Sequence, residues 1–175
     1  ITIDPISTTA NWSTEGNQAS ANYSWSVASA GDVNGDGYSD VIVGAPAYDN
    51  GQTDEGKVFV YYGSATGLAA SASWTAESDQ AGAQMGINAN TAGDVNGDGY
   101  SDVIIGVPYY DNGQVDEGRA YVYYGSATGL AASPAWTSES DQVSADYGSA
   151  VASAGDVNGD GYSDAIVGAT FYDNP

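Results

Sequence analysis

The chain has 175 residues and a formal charge of −21, from 23 acidic side chains set against Lys57 and Arg119, with no His. That balance excludes nucleic acid as a partner, because phosphate contacts need Lys and Arg, and it disfavours anionic membrane surfaces. No Cys is present either, so there is no disulfide framework and no Cys or His to activate a nucleophile; an enzyme is not expected.

In chain order, Ile1–Asp4 alternate as a short strand does and lead into a turn at Pro5-Ile6-Ser7. Trp12 follows, and then the first strand of a repeating unit, near Ser26–Ser29. The acidic loop Asp32–Asp40 comes next. Val41-Ile42-Val43 after it is continuously apolar and reads as a strand buried on both faces. A polar, Gly-rich turn precedes a third strand, Lys57–Tyr62, and a fourth centres on Trp74. The whole order then recurs with a 62-residue period. Strand one falls at Ile87–Asn90 and Ala150–Ser153, and the loop at Asp94–Asp102 and Asp156–Asp164. The apolar strand returns as Val103-Ile104-Ile105 and Ala165-Ile166-Val167, strand three as Arg119–Tyr124, and strand four around Trp136. No segment sustains a helical period. Fourteen Tyr and four Trp argue for packed sheet, and the 24 Gly sit at fixed repeat positions, which marks turns and not disorder.

Four antiparallel strands in about 60 residues, repeated, read as blades of a β-propeller. The expected fold is all-β, with three blades' worth per chain and residues 1–175 forming a single segment. Its repeats run at about 12–73, 74–135 and 136–175, and residues 1–11 complete the last blade in cis or in trans. Closed propellers usually hold four to eight blades, so three wedges strain a ring. Two exits are physical: a homodimer that closes as a 3 + 3 ring, or neighbouring repeats of a longer array. No transmembrane run and no signal peptide is present, the pattern of a mature or excised segment.

The loop Asp-Val-Asn-Gly-Asp-Gly-Tyr-Ser-Asp is identical in its three copies and carries the chemistry. Oxygen-bearing side chains stand at positions 1, 3, 5 and 9, namely Asp32, Asn34, Asp36 and Asp40; Asp94, Asn96, Asp98 and Asp102; Asp156, Asn158, Asp160 and Asp164. Tyr38, Tyr100 and Tyr162 at position 7 offer a backbone carbonyl, and the glycines permit the tight turn. All-oxygen donors without His or Cys favour Ca²⁺ over zinc or copper, about three ions per chain. Three such ions would bring the formal charge from −21 to −15. Position 12 is Val43, Ile105 or Val167, which departs from the acidic twelfth residue of a helix-flanked EF-hand loop. A merely solvated acidic turn is disfavoured, because every copy keeps every donor. A second acidic group, Asp49, Asp54 and Glu55, with Asp111, Asp116 and Glu117, lacks fixed donor spacing and reads as a solvated turn ahead of a second cation site.

This pattern resembles the FG-GAP repeat of integrin α-subunit propellers and their bacterial relatives. The "GAP" element stands as Gly44-Ala45-Pro46, varied to Gly106-Val107-Pro108 and Gly168-Ala169-Thr170. The "FG" element stands as Tyr147-Gly148, with Met85-Gly86 and Tyr23-Ser24 as departures. The resemblance implies four-stranded blades, Ca²⁺ held between strands one and two, and roles in adhesion, ligand binding or scaffolding. Millimolar Ca²⁺ outside cells suits weak sites of this type, so an extracellular or cell-surface setting is expected. A lectin-like, carbohydrate-binding propeller is the alternative. Trp12, Trp74 and Trp136 recur with the structural period, which favours packing over sugar stacking, and so do Tyr48, Tyr110 and Tyr172. Trp25 breaks the period, since its counterparts are Ile87 and Ser149.

Overall fold

The apolar runs, the turn glycines and the period-two strand pattern fold as sheet. In a computed structural model that describes residues 12–173, ten strands form and no helix is found among the described residues. The first unit holds β1 (Ser26–Gly31), β2 (Asp40–Ala45), β3 (Lys57–Tyr61) and β4 (Trp74–Glu77). The second holds β5 (Asn88–Gly93), β6 (Asp102–Val107), β7 (Arg119–Tyr123) and β8 (Trp136–Glu139). The third contributes β9 (Tyr147–Gly155) and β10 (Asp164–Ala169). Each of the first two units is a four-stranded antiparallel sheet in simple chain order, and β9 and β10 make a two-stranded one. The architecture is thus all-β, built of propeller-type blades: two whole and one half among the described residues. Residues 1–11, which the sequence assigns to completing the last blade, lie outside the described residues.

The second strand of each blade is central, and its composition explains why. Ile42 sits opposite Ala28 on one side and Val60 on the other, and Ile104 sits between Asn90 and Val122. β2 and β6 are buried along nearly their whole length. The blades then stack on one another. Ile42, Val58 and Val60 of the first share a core with Ala89, Val103, Ile105 and Val107 of the second. Ile104, Ala120 and Val122 of the second share one with Val151 of the third. Burying a β-branched or aliphatic side chain of this size is worth about 1.5–3 kcal/mol, so these clusters hold the blades face to face.

The "FG" and "GAP" elements meet across that stack. A Cβ on Gly44 would strike the carbonyl of Gly86, and one on Gly106 would strike that of Gly148. Only glycine leaves room for the approach. The Ser26 hydroxyl adds a bond to the same Gly86 carbonyl, at 2.8 Å. Two of the departures from the motif, Ser24 and Thr170, fall in the first and last units. Ser24 takes a left-handed conformation at φ 69°, as Ser20 and Asn22 do before it, and the Thr170 hydroxyl bonds that of Ser149 at 2.6 Å. Trp12 is the first described residue, next to residues 1–11, which lie outside that range. Its side chain nonetheless keeps the repeat's contacts. Trp12 stands edge-on to Tyr61 at 5.0 Å as Trp74 does to Tyr123 at 4.9 Å, and their indole nitrogens donate to the carbonyls of Ala69 and Ala131.

Candidate metal centre

Each acidic loop joins the first strand of a blade to its buried second strand, and its own carboxylates organise its backbone. In the first copy Asp32 Oδ1 accepts from the N–H groups of Gly35 (2.7 Å) and Asp36 (3.1 Å), and Oδ2 from that of Gly37 (2.8 Å). Asn34 Oδ1 accepts from Asp36 N, and Asp36 Oδ1 from Tyr38 N. The second and third copies repeat these bonds through Asp94, Asn96 and Asp98 and through Asp156, Asn158 and Asp160. Gly35 at φ +71° and Gly37 at +89° hold the left-handed turns that aim these amides inward.

The closing aspartate behaves differently. Asp40 is fully buried, and its two oxygens accept from Val33 N within the loop and Gly63 N at the end of β3, both at 2.8 Å. Asp102 does the same with Val95 and Gly125, at 2.8 and 2.9 Å. It therefore ties loop to third strand. In the third copy Asp164 keeps the loop bond, to Val157 N at 2.9 Å, and is only half-buried.

Electrostatically, burial pushes the Asp40 carboxyl above the ordinary carboxylate range, and the charges of Asp32 and Asp36 push it the same way. Burial, then Asp98 and Asp94, do so for Asp102. In the open third loop the N–H groups of Gly161, Gly159 and Asp160 instead hold Asp156 below that range. The chain's two cations are engaged elsewhere: Lys57 pairs with Glu77 at 3.4 Å, and Arg119 with Glu139. Each loop thus gathers three carboxylates and a carboxamide with no basic side chain beside them. That donor set fits a hard dication in type and charge. Its side chains are turned onto amides, and among the described residues no three acidic side chains stand close enough together to hold a metal ion.

The residues that sequence reasoning read for their backbone alone prove to be packing residues. The Tyr100 ring covers Gly35 of the preceding loop, and the Tyr162 ring covers Gly97. Ser101 lies against Gly31, its N–H donating to the Asp32 carbonyl at 3.0 Å, while the Asp32 N–H donates to its hydroxyl at 3.1 Å. Ser163 lies against Gly93 and donates to the Asp94 carbonyl at 2.8 Å. The acidic loops are therefore also the rims at which successive blades interlock. The identical Tyr-Ser in all three copies was the available signal.

The second acidic group corrects the expectation of a solvated turn. Asp49 and Asp111 are exposed, but Glu55 and Glu117 are fully buried. Glu55 Oε1 accepts from Asn50 N, and Asp49 Oδ1 from Asp54 N at 2.7 Å, so these carboxylates pin the loop between β2 and β3. Burial raises the Glu117 carboxyl's affinity for its proton, and Glu139 and Asp141 add to the effect. Asn50 and Lys57 both reach Glu77, and Asn112 and Arg119 both reach Glu139.

Comparison with known proteins places this geometry. The family model described as FG-GAP repeat matches residues 24–61, 87–123 and 147–175, one match per unit. Integrin alpha-PS2 of Drosophila melanogaster is 34% identical over 169 residues, covering 88% of this chain. Integrin alpha pat-2 of Caenorhabditis briggsae is 38% identical over 155 residues, covering 79%. Integrin alpha-7 of Homo sapiens is 30% identical over 155 residues, covering 88%. The chain spans only 12–13% of the length of these relatives. No helix among the described residues is long and apolar enough to cross a membrane.

Proposed function

The chain belongs to the FG-GAP repeat family, and from that premise we propose that it is a non-catalytic, calcium-binding blade array serving adhesion, ligand binding or scaffolding at a cell surface or outside the cell. The observation that carries the reading is the threefold acidic loop with no basic side chain beside it. Asp32, Asn34, Asp36 and Asp40, with the Tyr38 carbonyl, would hold one ion. The matching residues of the loops at Asp94–Asp102 and Asp156–Asp164 would hold two more. A dication there offsets the like-charge repulsion within each loop and fixes the turn from first to second strand. The adhesion role comes from the relatives, which carry the integrin name. Further blades, in neighbouring repeats or a second copy, and protein or glycan ligands are the partners this role calls for.

Two measurements on the purified chain test it. Calorimetric titration should find about three calcium sites. A ligand at a hundred times its Kd stabilises by about 2.7 kcal/mol per site, and each kcal/mol moves the melt of a chain this size by roughly 2–4 °C. Millimolar calcium should therefore raise Tm by about 10 °C or more over chelator. No heat of binding together with superimposable melts overturns the calcium reading.

One cleft favours the carbohydrate alternative. A cavity of about 360 Å³ between the second blade and the third unit is lined by Trp136, Tyr124 and Tyr147 together with Ser163 and Asp164, an aromatic platform beside polar groups. One repeat earlier the matching position is filled by Tyr123 against Trp74, so a third-strand residue of a further blade competes for the same space. A glycan array in millimolar calcium separates the two: specific binding that Trp136→Ala abolishes supports the sugar site, and an array without signal removes it.

A further inference from the structure

The dipeptide Asn-Gly occurs five times, and the fold sorts the copies into two kinds. Asparagine followed by glycine is the pair most open to deamidation, because no Cβ shields the glycine's amide from the side-chain carbonyl carbon before it. Three copies, Asn34-Gly35, Asn96-Gly97 and Asn158-Gly159, lie in the acidic loops. There the glycine amide is committed: the N–H groups of Gly35, Gly97 and Gly159 donate to Oδ1 of Asp32, Asp94 and Asp156, at 2.7, 2.7 and 2.6 Å. The asparagine is committed too, its Oδ1 accepting from the backbone two residues on. An amide that must lose its proton beside a carboxylate does so against like charge.

The other two copies, Asn50-Gly51 and Asn112-Gly113, lie in the loops between β2 and β3 and between β6 and β7, and all four residues are exposed. Among the described residues neither Gly51 N nor Gly113 N finds a hydrogen-bond acceptor, and a Cβ on either glycine would meet no atom within 4 Å. Gly35 and Gly97 are exposed as well, so access to solvent is not what separates the two kinds. The open asparagines are tethered through nitrogen. Asn50 Nδ2 donates to both Glu77 oxygens, at 2.9 and 3.0 Å, and Asn112 Nδ2 to Glu139 Oε1 at 2.8 Å. These bonds hold the nitrogen that would leave, not the amide that would attack.

We propose that Asn50 and Asn112 are sites of spontaneous deamidation, and that hydrogen bonding of the glycine amide shields the three acidic-loop asparagines from it. The Gly51 amide gives its proton to solvent, its nitrogen bonds to Asn50 Cγ, and the Cγ–Nδ2 bond breaks with release of ammonia. Water then opens the cyclic imide at either carbonyl, leaving aspartate or isoaspartate. One water enters, one ammonia leaves, and nothing is oxidised or reduced. Asn112 and Gly113 react in the same way. The product reverses the tether, because a carboxylate has no proton to donate and faces Glu77 or Glu139 as a like charge. Conversion at both sites takes the formal charge from −21 to −23. The Asn50 N–H also donates to the buried Glu55 carboxylate, whose other oxygen has no partner among the described residues. Isoaspartate lengthens the backbone beside that bond and loosens it.

The test is incubation of the 175-residue chain at mildly alkaline pH, in chelator and, separately, in millimolar calcium, so that the shielding stands apart from the cation reading. Cleavage after aromatic residues puts the five Asn-Gly pairs on separate peptides, and mass spectrometry with electron-transfer fragmentation tells isoaspartate from aspartate. In both buffers Asn50 and Asn112 should convert at least roughly tenfold faster than Asn34, Asn96 and Asn158, the factor imposed when a charge-assisted hydrogen bond must first break. In urea beyond the unfolding midpoint the five rates should converge. Asn50→Gln and Asn112→Gln should each remove their own product alone. Asn50→Asp should lower the urea midpoint, and added salt should shrink that loss. Equal rates at all five sites of the folded chain overturn the proposal, as do Asn50 and Asn112 that stay intact while the unfolded chain converts. A tenfold spread that persists in urea overturns it too, because the difference would then lie in the neighbouring sequence and not in the fold.

Discussion

The second and third acidic loops share all nine residues and differ in their surroundings. Inside them the shared backbone-amide bonds agree to within 0.2 Å (3.0 Å at Asp98 N–Asn96 Oδ1 against 2.8 Å at Asp160 N–Asn158 Oδ1): Gly97 N lies 2.7 Å from Asp94 Oδ1, and Gly159 N 2.6 Å from Asp156 Oδ1. Outside them the packing differs. Asp102 is buried under two backbone donors, and the Tyr162 ring lies against Gly97. Asp164 is half-buried with one donor, and Gly159 faces open space. The loop's shape is therefore a local property of its sequence, while its burial comes from the third strand of its own blade and from the unit packed on it.

Paired substitutions in cation-free buffer sharpen that comparison, and the closing aspartates should give the largest effect. Asp102→Ala strands the N–H groups of Val95 and Gly125 inside the protein, at about 1–3 kcal/mol for each buried unsatisfied group, so a loss of about 3–5 kcal/mol is expected. Asp164→Ala frees only Val157 N, which is exposed, and should cost about 1 kcal/mol or less. Equal shifts in urea midpoint would break the distinction. The glycines come next. Both sit near φ +75°, where a Cβ costs roughly 1–2 kcal/mol. Gly97→Ala should exceed Gly159→Ala by about a further 1 kcal/mol, because only Gly97 has the Tyr162 ring against it.

The smallest effect is the pH dependence, and it changes sign between the loops. Asp40 and Asp102 bind their protons more tightly folded than unfolded. Their contribution is present below the unfolded carboxylate value of about 3.9 and is lost as pH rises through the raised folded value. Asp156 has the opposite shift, so its contribution is present above that value and is lost as pH falls through the lowered one. In the cation-free chain, Asp102→Asn should therefore flatten the loss of stability on going from mildly acidic to neutral pH. Asp156→Asn should flatten the loss at the acidic end. Urea midpoints across that range read both slopes, and slopes unchanged in both variants would count against the electrostatic account.

Much of this was legible in the residues. Val41-Ile42-Val43 announced a central buried strand, and β2 carries it. The constant spacing of the loops set the blade length, and Trp74 and Trp136 marked the fourth strands that β4 and β8 became. What escaped depends on atoms far away in the chain. Tyr100 reads for its backbone carbonyl alone, because the glycine that its ring lies against sits in the preceding unit. Glu55 and Glu117 read as solvated because charge usually seeks water. The neighbouring unit closes against them: Met85 N and Tyr147 N donate to the main-chain carbonyls of Glu55 and Glu117.

The glycine approach between Gly44 and Gly86, and again between Gly106 and Gly148, never closes within one unit; it always spans a unit and its successor. A genetic event that duplicates or deletes one whole period accordingly rebuilds every such junction without any compensating substitution, while a cut of any other length breaks one.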